Sequence, residues 1–288
     1  MLTPRLGRAL TQMSALRPGP RLRGWLRIAG LALLAAGAVW SLATLEFAAA
    51  DLALWPLLLN ALLLSPANLV LAAVTLRLSA AALGCAMPIR RAITRAAQAS
   101  VAELLPLPGG AAVRGAALIE AGARPGAAAW MVLASAVLML GLTVALASLA
   151  LALLGEPLGW AGLLAGLLVT ALALWHIAAR VGARWLPALV AVRGATLALT
   201  SLRLMAAFAA LGQEALLLQA LLYALAPALG ATVAIVPGGF GVNEAVAAAL
   251  AGMIAASPAA AFLAVALNRA LGLTAGAVLA GLLSRSGR

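Results

Sequence analysis

Apolar residues run almost without interruption along this chain, in stretches of about twenty separated by short polar segments. Stretches of this length can cross a bilayer as helices. The pattern predicts an all-α, polytopic transmembrane bundle of about seven or eight spans, forming one domain over residues 28–284. The predicted apolar stretches are 28–47, 52–76, 127–154, 158–177, 195–211, 215–235 and 258–283.

Two segments interrupt this pattern with the same signature. The first covers about 96–122 and contains LPLPGGAAVRGAALIEAG, and the second covers about 236–256 and contains VPGGFGVNEAVAAALAG. Placing Pro108 on Pro237 aligns P-G-G-x-x-V-x-x-A in both copies, 129 residues apart. The alignment predicts an internal repeat within the transmembrane domain.

Each break is unusual because hydrocarbon offers peptide groups no hydrogen-bond partner. Proline removes a donor and paired glycines favour non-helical backbone. Such backbone survives at membrane depth only where it is buried in protein or lines a wet cavity. Paired breaks in two halves of a membrane protein also point to a transport site. We therefore expect re-entrant or spanning segments around a polar cavity. The alternative is a pair of loops at the membrane surface.

A short Ala-rich helix is expected after each break, and its free N–H groups would form an anion site. Arg114 lies early in the first such helix, and its guanidinium fork matches phosphate oxygens. Glu244 in the second helix would pair with an arginine, hold an amine or carry a proton. The candidate lipid- or anion-binding residues are Glu103, Pro108, Gly109, Gly110, Arg114, Pro237, Gly238, Gly239, Gly241, Asn243, Glu244 and Arg269.

The remaining charges inside apolar stretches need partners. A lone charge at the centre of a span costs at least about 2.5–3.5 kcal/mol. We expect Arg269, midway along the last span, to pair with Glu244, either as a functional or as a purely structural ion pair. The other expected pairs are Arg203 with Glu214 or Glu103, and Glu120 with Arg124 on one helix.

Composition supports a membrane location. Hydrophobic residues make up 66% of the 288 residues and charged residues only 9%, against about 25% charged in soluble domains. The net charge of +12 comes from nineteen arginines. They cluster at the ends of apolar stretches, as the positive-inside rule describes. This placement predicts a basic cytoplasmic N-terminal tail over 1–27 and a basic C-terminal tail over 285–288. We expect a location in a bacterial inner membrane. We expect no nucleic-acid partner.

The chain has few residues of the types that form catalytic or metal sites. The chain has one histidine, one cysteine and one aspartate, which do not build a His-based metal site or a nucleophile–His–Asp triad. No P-loop is present. We therefore expect neither an enzyme nor a bound metal or cofactor.

The side of the membrane on which the chain ends depends on whether the breaks cross the membrane. Two re-entrant breaks leave seven spans and an outside C-terminus, whereas one crossing break gives eight spans.

The stretches ELLPLPGGAAVRGAALIEAG, VPGGFGVNEAVAAALAGMI and ALNRALGL resemble the transmembrane region of the lysylphosphatidylglycerol synthase family. The resemblance runs from about Leu52 to Leu283. It implies a stand-alone, flippase-like domain with re-entrant helices around a polar cavity, without the aminoacyl-transferring domain. The matching residues are Glu103, Pro106, Gly110, Arg114, Pro237, Gly238, Gly239, Gly241, Glu244 and Arg269.

Two departures concern the headgroup. Relatives often carry an acidic residue where this chain has Ala111 and Ala112, and arginine where it has Asn243.

Three functions remain open. The first is binding and translocation of a phosphate-bearing lipid, such as a phospholipid, a modified phospholipid or a polyprenyl-linked carrier. The second is ion-coupled transport of a small anion. The third is a non-transporting subunit of a lipid or cell-envelope pathway. The expected partners are membrane lipids, with a second copy or a lipid-pathway enzyme as further possibilities.

Overall fold

The computed structural model describes residues 20–46, 52–103, 109–233, 239 and 241–285. Over these residues the secondary structure is helical, with no strand, which confirms the predicted all-α class. The helices are α1 (Pro20–Thr44), α2 (Leu54–Leu59), α3 (Ser65–Ala82), α4 (Ile89–Ala102), α5 (Gly109–Glu120), α6 (Pro125–Leu153), α7 (Leu158–Val181), α8 (Leu186–Ala210), α9 (Leu217–Tyr223), α10 (Leu225–Val233), α11 (Val242–Met253) and α12 (Pro258–Arg285).

Two short helical turns complete this order. A π-helical turn, Asn60–Leu64, joins α2 to α3, so that 54–82 form one continuous rod. A 3₁₀ turn, Ala183–Trp185, leads into α8. Within the described residues, five helical segments are long and apolar enough to cross a membrane: Leu54–Ala82, Pro125–Leu153, Leu158–Val181, Ala183–Ala210 and Pro258–Leu283.

The five long segments identify an integral membrane protein. They contain 24 to 29 residues and therefore reach roughly 36–44 Å at 1.5 Å per residue, more than the hydrocarbon thickness of about 30 Å. Their outer faces carry large apolar side chains, including Leu164 and Trp175, each 70% exposed. A water-soluble monomer rarely exposes such surfaces, whereas lipid covers them.

Small residues bring α6 and α7 into close contact along their length. Gly166 lies against the backbone of Ala145, and Gly162 lies against the side chain of Ser148. A methyl group at either glycine would overlap these atoms, so the helices could not approach as closely. The sequence G-x-x-x-G at 162–166 therefore acts in packing within the chain.

Each break in the sequence lies in a helical hairpin. The first hairpin is α4 with α5, and the second is α9 and α10 with α11; in both, the two limbs pack together. The second limbs, α5 and α11, have 12 residues each. They are therefore about 18 Å long, too short to cross the hydrocarbon region. The predicted short helix after each break is confirmed.

The apolar stretch 215–235 does not form a single span. It is divided at Ala224 into α9 and α10, and it supplies the first limb of the second hairpin. Pro227 explains the division, because proline has no N–H and its ring clashes with the carbonyl four residues earlier, at Tyr223, where α9 ends.

This division changes the topology. If each hairpin enters and leaves on one side, six crossings remain: α1, the 54–82 rod, α6, α7, α8 and α12. An even number of crossings places Arg285 on the same side as Pro20. Under this condition Pro20 and Arg285 would lie on one side of the membrane without either break crossing it.

Candidate functional site

The Gly-Gly pair of the first break allows two helix backbones to touch. Gly109 and Gly110 are buried and form the start of α5. A Cβ atom at Gly110 would lie 2.7 Å from Cγ of Glu103 and 3.1 Å from the carbonyl oxygen of Ala99. A Cβ atom at Gly109 would overlap the carbonyl oxygen of Ala102. The expectation of non-helical backbone is wrong at this pair, since both residues are helical. Glycine is needed here because α4 and α5 approach closely.

An ion pair closes the first hairpin. Glu103 follows the last residue of α4, Arg114 lies on the second turn of α5, and the distance from Arg114 Nη2 to Glu103 Oε1 is 2.6 Å. Both side chains are about half exposed. Glu103 Oε1 also lies beside Gly110 in the first turn of α5, where the helix dipole favours negative charge. The protein's own carboxylate thus occupies the position where the sequence predicts an anion.

The glycines of the second break do adopt the predicted non-helical backbone. Gly239 and Gly241 have φ angles of +67° and +76°, a region that side chains disfavour. Gly241 immediately precedes α11. A Cβ atom there would lie 2.7 Å from the carbonyl oxygen of Gly30. The second break is therefore fixed against α1 by a contact that needs glycine.

The predicted Arg269–Glu244 pair is confirmed. Arg269 Nη1 lies 3.2 Å from Glu244 Oε1, and the two side chains are 15% and 1% exposed. The second carboxylate oxygen of Glu244 and the amide oxygen of Asn243 are buried and accept no hydrogen bond from the described residues. Glu103 is within electrostatic range of Arg269. Each break thus carries one ion pair, Glu103 with Arg114 and Glu244 with Arg269.

A cavity of about 510 Å³ has Arg114 in its lining. Side chains from α3, α5, α6, α8 and α10 surround it, and most of them are apolar. Its polar lining consists of Thr75, Ser79, Arg114, Ser135 and Arg193. The cavity thus combines an apolar wall with two guanidinium groups, an arrangement that suits an amphiphilic ligand with an anionic group.

Arg193 is a candidate site residue that the sequence analysis missed. Its Nη2 donates a hydrogen bond to Ser135 Oγ. Its Nε is buried and finds no acceptor among the described residues. Arg114 lines the same cavity. Two cations that line one cavity and an unused buried donor can bind an oxyanion between them.

The position of Arg193 was obscured by the predicted helix boundary. The apolar stretch was expected to begin at 195, after a basic loop, but α8 begins at Leu186. Pro187 was the available signal, because proline is favoured in the first turn of a helix. Starting the helix there places Arg193 nearly two turns inside α8.

Two other expected ion pairs are wrong. Buried Arg203 donates from Nη2 to the carbonyl oxygen of Asn268, at 2.9 Å, and from Nε to Asn60 Oδ1, at 3.3 Å. Neither Glu214 nor Glu103 pairs with it. Polar groups of the π-turn and of α12 replace the carboxylate, and the absence of a side chain at Gly272 leaves room for the guanidinium.

Glu120 pairs with Arg95 at 2.6 Å instead of with Arg124. The helix explains the difference, since α5 ends at Glu120 and Gly122 turns the chain with a φ of +106°. Glu120 and Arg124 therefore do not share a helix face.

Four residues predicted for the site, Pro106, Pro108, Pro237 and Gly238, lie outside the described residues. Comparison of the chain with protein-family models and with curated proteins finds no match in either set.

Proposed function

We propose that this membrane protein binds and translocates a phosphate-bearing lipid, such as a phospholipid, a modified phospholipid or a polyprenyl-linked carrier. One observation carries the proposal: two arginine side chains line a cavity whose other walls are mostly apolar. Leu133 lines this cavity and is 64% exposed. A lipid needs a lateral opening for its acyl chains, whereas a small soluble anion needs a closed aqueous path.

The size and chemistry of the cavity agree with this ligand class. Ligand cavities typically measure about 300–1,000 Å³ and combine apolar walls with a few polar groups, and this cavity measures about 510 Å³. In the proposal, the lipid phosphate binds Arg114 and replaces Glu103, the carboxylate that contacts Arg114 in the structure. Glu244 and Arg269 form a second pair that opens and closes as the headgroup passes.

The proposal also includes the membrane in which the protein lies and its orientation there. We place it in a bacterial inner membrane. We place the N-terminal tail in the cytoplasm because the arginines flank the spans in the manner of the positive-inside rule. We propose transport rather than catalysis. The similarity of both breaks to the transmembrane region of the lysylphosphatidylglycerol synthase family supports a relationship and a shared lipid-translocating role.

Reconstitution tests this function. Proteoliposomes carrying fluorescent phosphatidylglycerol are exposed to a membrane-impermeant quencher, which destroys only the outer-leaflet signal. We expect wild-type protein to make all of the fluorescence accessible, and Arg114→Ala to give no more accessibility than protein-free liposomes. Arg77→Ala is the matched control, since Arg77 is exposed on α3 and does not line the cavity. It should behave as wild type.

Three outcomes distinguish the alternatives. Normal lipid movement by Arg114→Ala would contradict the role of this residue. Uptake of radiolabelled phosphate without lipid movement would favour a small-anion transporter. Activity only after co-purification with a lipid-pathway enzyme would favour a subunit that does not transport by itself.

A further inference from the structure

The cavity has a second cation, Arg193, whose position restricts the headgroup that can bind. We infer that Arg114, Arg193 and Ser135 form a site for a phosphodiester carrying one negative charge. This inference rests on the proposed function and narrows its ligand class from phosphate-bearing lipids in general to phosphodiesters.

The geometry supports a bridging anion. Arg193 is oriented by its hydrogen bond to Ser135 and keeps a buried Nε without an acceptor. Arg114 uses Nη2 for Glu103, and a guanidinium has five N–H donors. Two arginines that line one cavity are stabilised when an oxyanion lies between them. The two unesterified oxygens of a phosphodiester can accept hydrogen bonds from one guanidinium each.

Charge balance selects the number of negative charges. Within the described residues, Arg114 and Arg193 line the cavity and Glu103 pairs with Arg114. We call these three groups the charged network; its net charge is one positive. Arg269 and Glu244 pair with each other and leave this sum unchanged.

Arg203 is separate from this group, since it contacts Asn60 and Asn268 and, within the described residues, no charged side chain. One negative charge neutralises the network. A phosphodiester supplies that single charge. A diphosphate would leave an excess of negative charge in an apolar surrounding, where unpaired charge is unfavourable.

Equilibrium binding to the purified full-length protein in detergent tests the inference. The probes are dihexanoyl phosphatidylglycerol, which carries one charge, farnesyl diphosphate, which carries at least two, and glycerophosphoglycerol, which is the first headgroup without acyl chains. We expect the wild type to prefer dihexanoyl phosphatidylglycerol to farnesyl diphosphate. Arg193→Gln should weaken the binding of dihexanoyl phosphatidylglycerol by about tenfold or more, as expected for loss of a hydrogen-bonded charge.

Matched variants separate a lost contact from a lost fold. Arg193→Lys should keep part of the affinity, and Ser135→Ala, which only frees Arg193 to move, should weaken binding less than Arg193→Gln. Arg77→Gln should bind as wild type. Glu103→Gln raises the net charge of the network to two, so it should shift preference towards farnesyl diphosphate by about tenfold. This gain for one ligand cannot result from misfolding.

The inference is overturned if wild-type protein binds no phosphodiester or prefers the diphosphate, or if Arg193→Gln binds as wild type. Its failure and that of the proposed function are distinguishable. If glycerophosphoglycerol binds as tightly as the lipid, or if lipid binds without moving between leaflets, the phosphodiester site stands and lipid translocation fails. If Arg114→Ala abolishes movement while Arg193→Gln leaves binding unchanged, translocation stands and this site fails.

Discussion

Replacement of Arg269 by glutamine tests the energetic role of the ion pair that links the second hairpin to α12. The change leaves the carboxylate of Glu244 in a place that is 1% exposed. In the described part of the protein, Glu244 has no second cation within 4 Å. Removing one partner of a buried ion pair typically costs about 3–5 kcal/mol. We expect Arg269→Gln to lower the free energy of unfolding by about 3 kcal/mol, because Arg269 is 15% exposed and some solvent screening remains.

The reverse change should cost less. Glu244→Gln leaves Arg269 within electrostatic range of Glu103, and Arg269 makes a further interaction beyond those with Glu244. We expect a loss of about 1–2 kcal/mol, the cost of one hydrogen bond to a charged group. The double variant should be more stable than Arg269→Gln alone, since two neutral amides leave no unpaired charge.

Unfolding of the purified protein by denaturant in mixed micelles provides the double-mutant cycle. We expect a coupling energy of about 2 kcal/mol. The Arg95–Glu120 pair is the control: its side chains are 33% and 44% exposed, and its coupling should stay below about 1 kcal/mol. Additive effects of the two substitutions at 244 and 269, or equal coupling in both pairs, would refute the reasoning.

Two further predictions use matched substitutions. Gly110→Ala should lower the free energy of unfolding by about 1–3 kcal/mol, since its Cβ would lie 2.7 Å from Glu103. Gly115→Ala in the same helix is the control, because its Cβ meets no atom within 4 Å. It should be neutral or stabilising in a denaturant titration. Asn60→Leu should lower the free energy of unfolding by about 2–3 kcal/mol, because it removes an acceptor of Arg203. Asn68→Leu is its control: it removes a buried oxygen that accepts no hydrogen bond from the described residues and should be neutral in the same titration. Equal effects within either pair would contradict the contacts assigned to Gly110 or Asn60.

The all-helical class and the position of the breaks could be predicted because the bilayer restricts the possible structures strongly. Long apolar stretches have to be helices, and a Pro-Gly-Gly interruption has to find support from protein. The same constraint predicted the Arg269–Glu244 pair, since few acidic residues were available to neutralise a cation at that depth.

Other features could not be predicted because they depend on packing between distant segments. Arg203 binds a backbone carbonyl and an amide oxygen, and such neutral acceptors occur in every part of the chain. Arg193 was assigned to a loop because the start of α8 was placed about two turns too late. The contact of Glu103 with Arg114 depends on the hairpin closing at Gly109 and Gly110, which a one-dimensional pattern does not show.

The most direct test of the shared site is a cryo-electron microscopy structure of the protein in phosphatidylglycerol nanodiscs. We expect Gly110 and Gly241 to lie within the hydrocarbon thickness, and a lipid phosphate to lie between the guanidinium groups of Arg114 and Arg193. A structure with both glycines in bulk water, and with Arg114 and Arg193 facing separate surroundings without a headgroup, would contradict it.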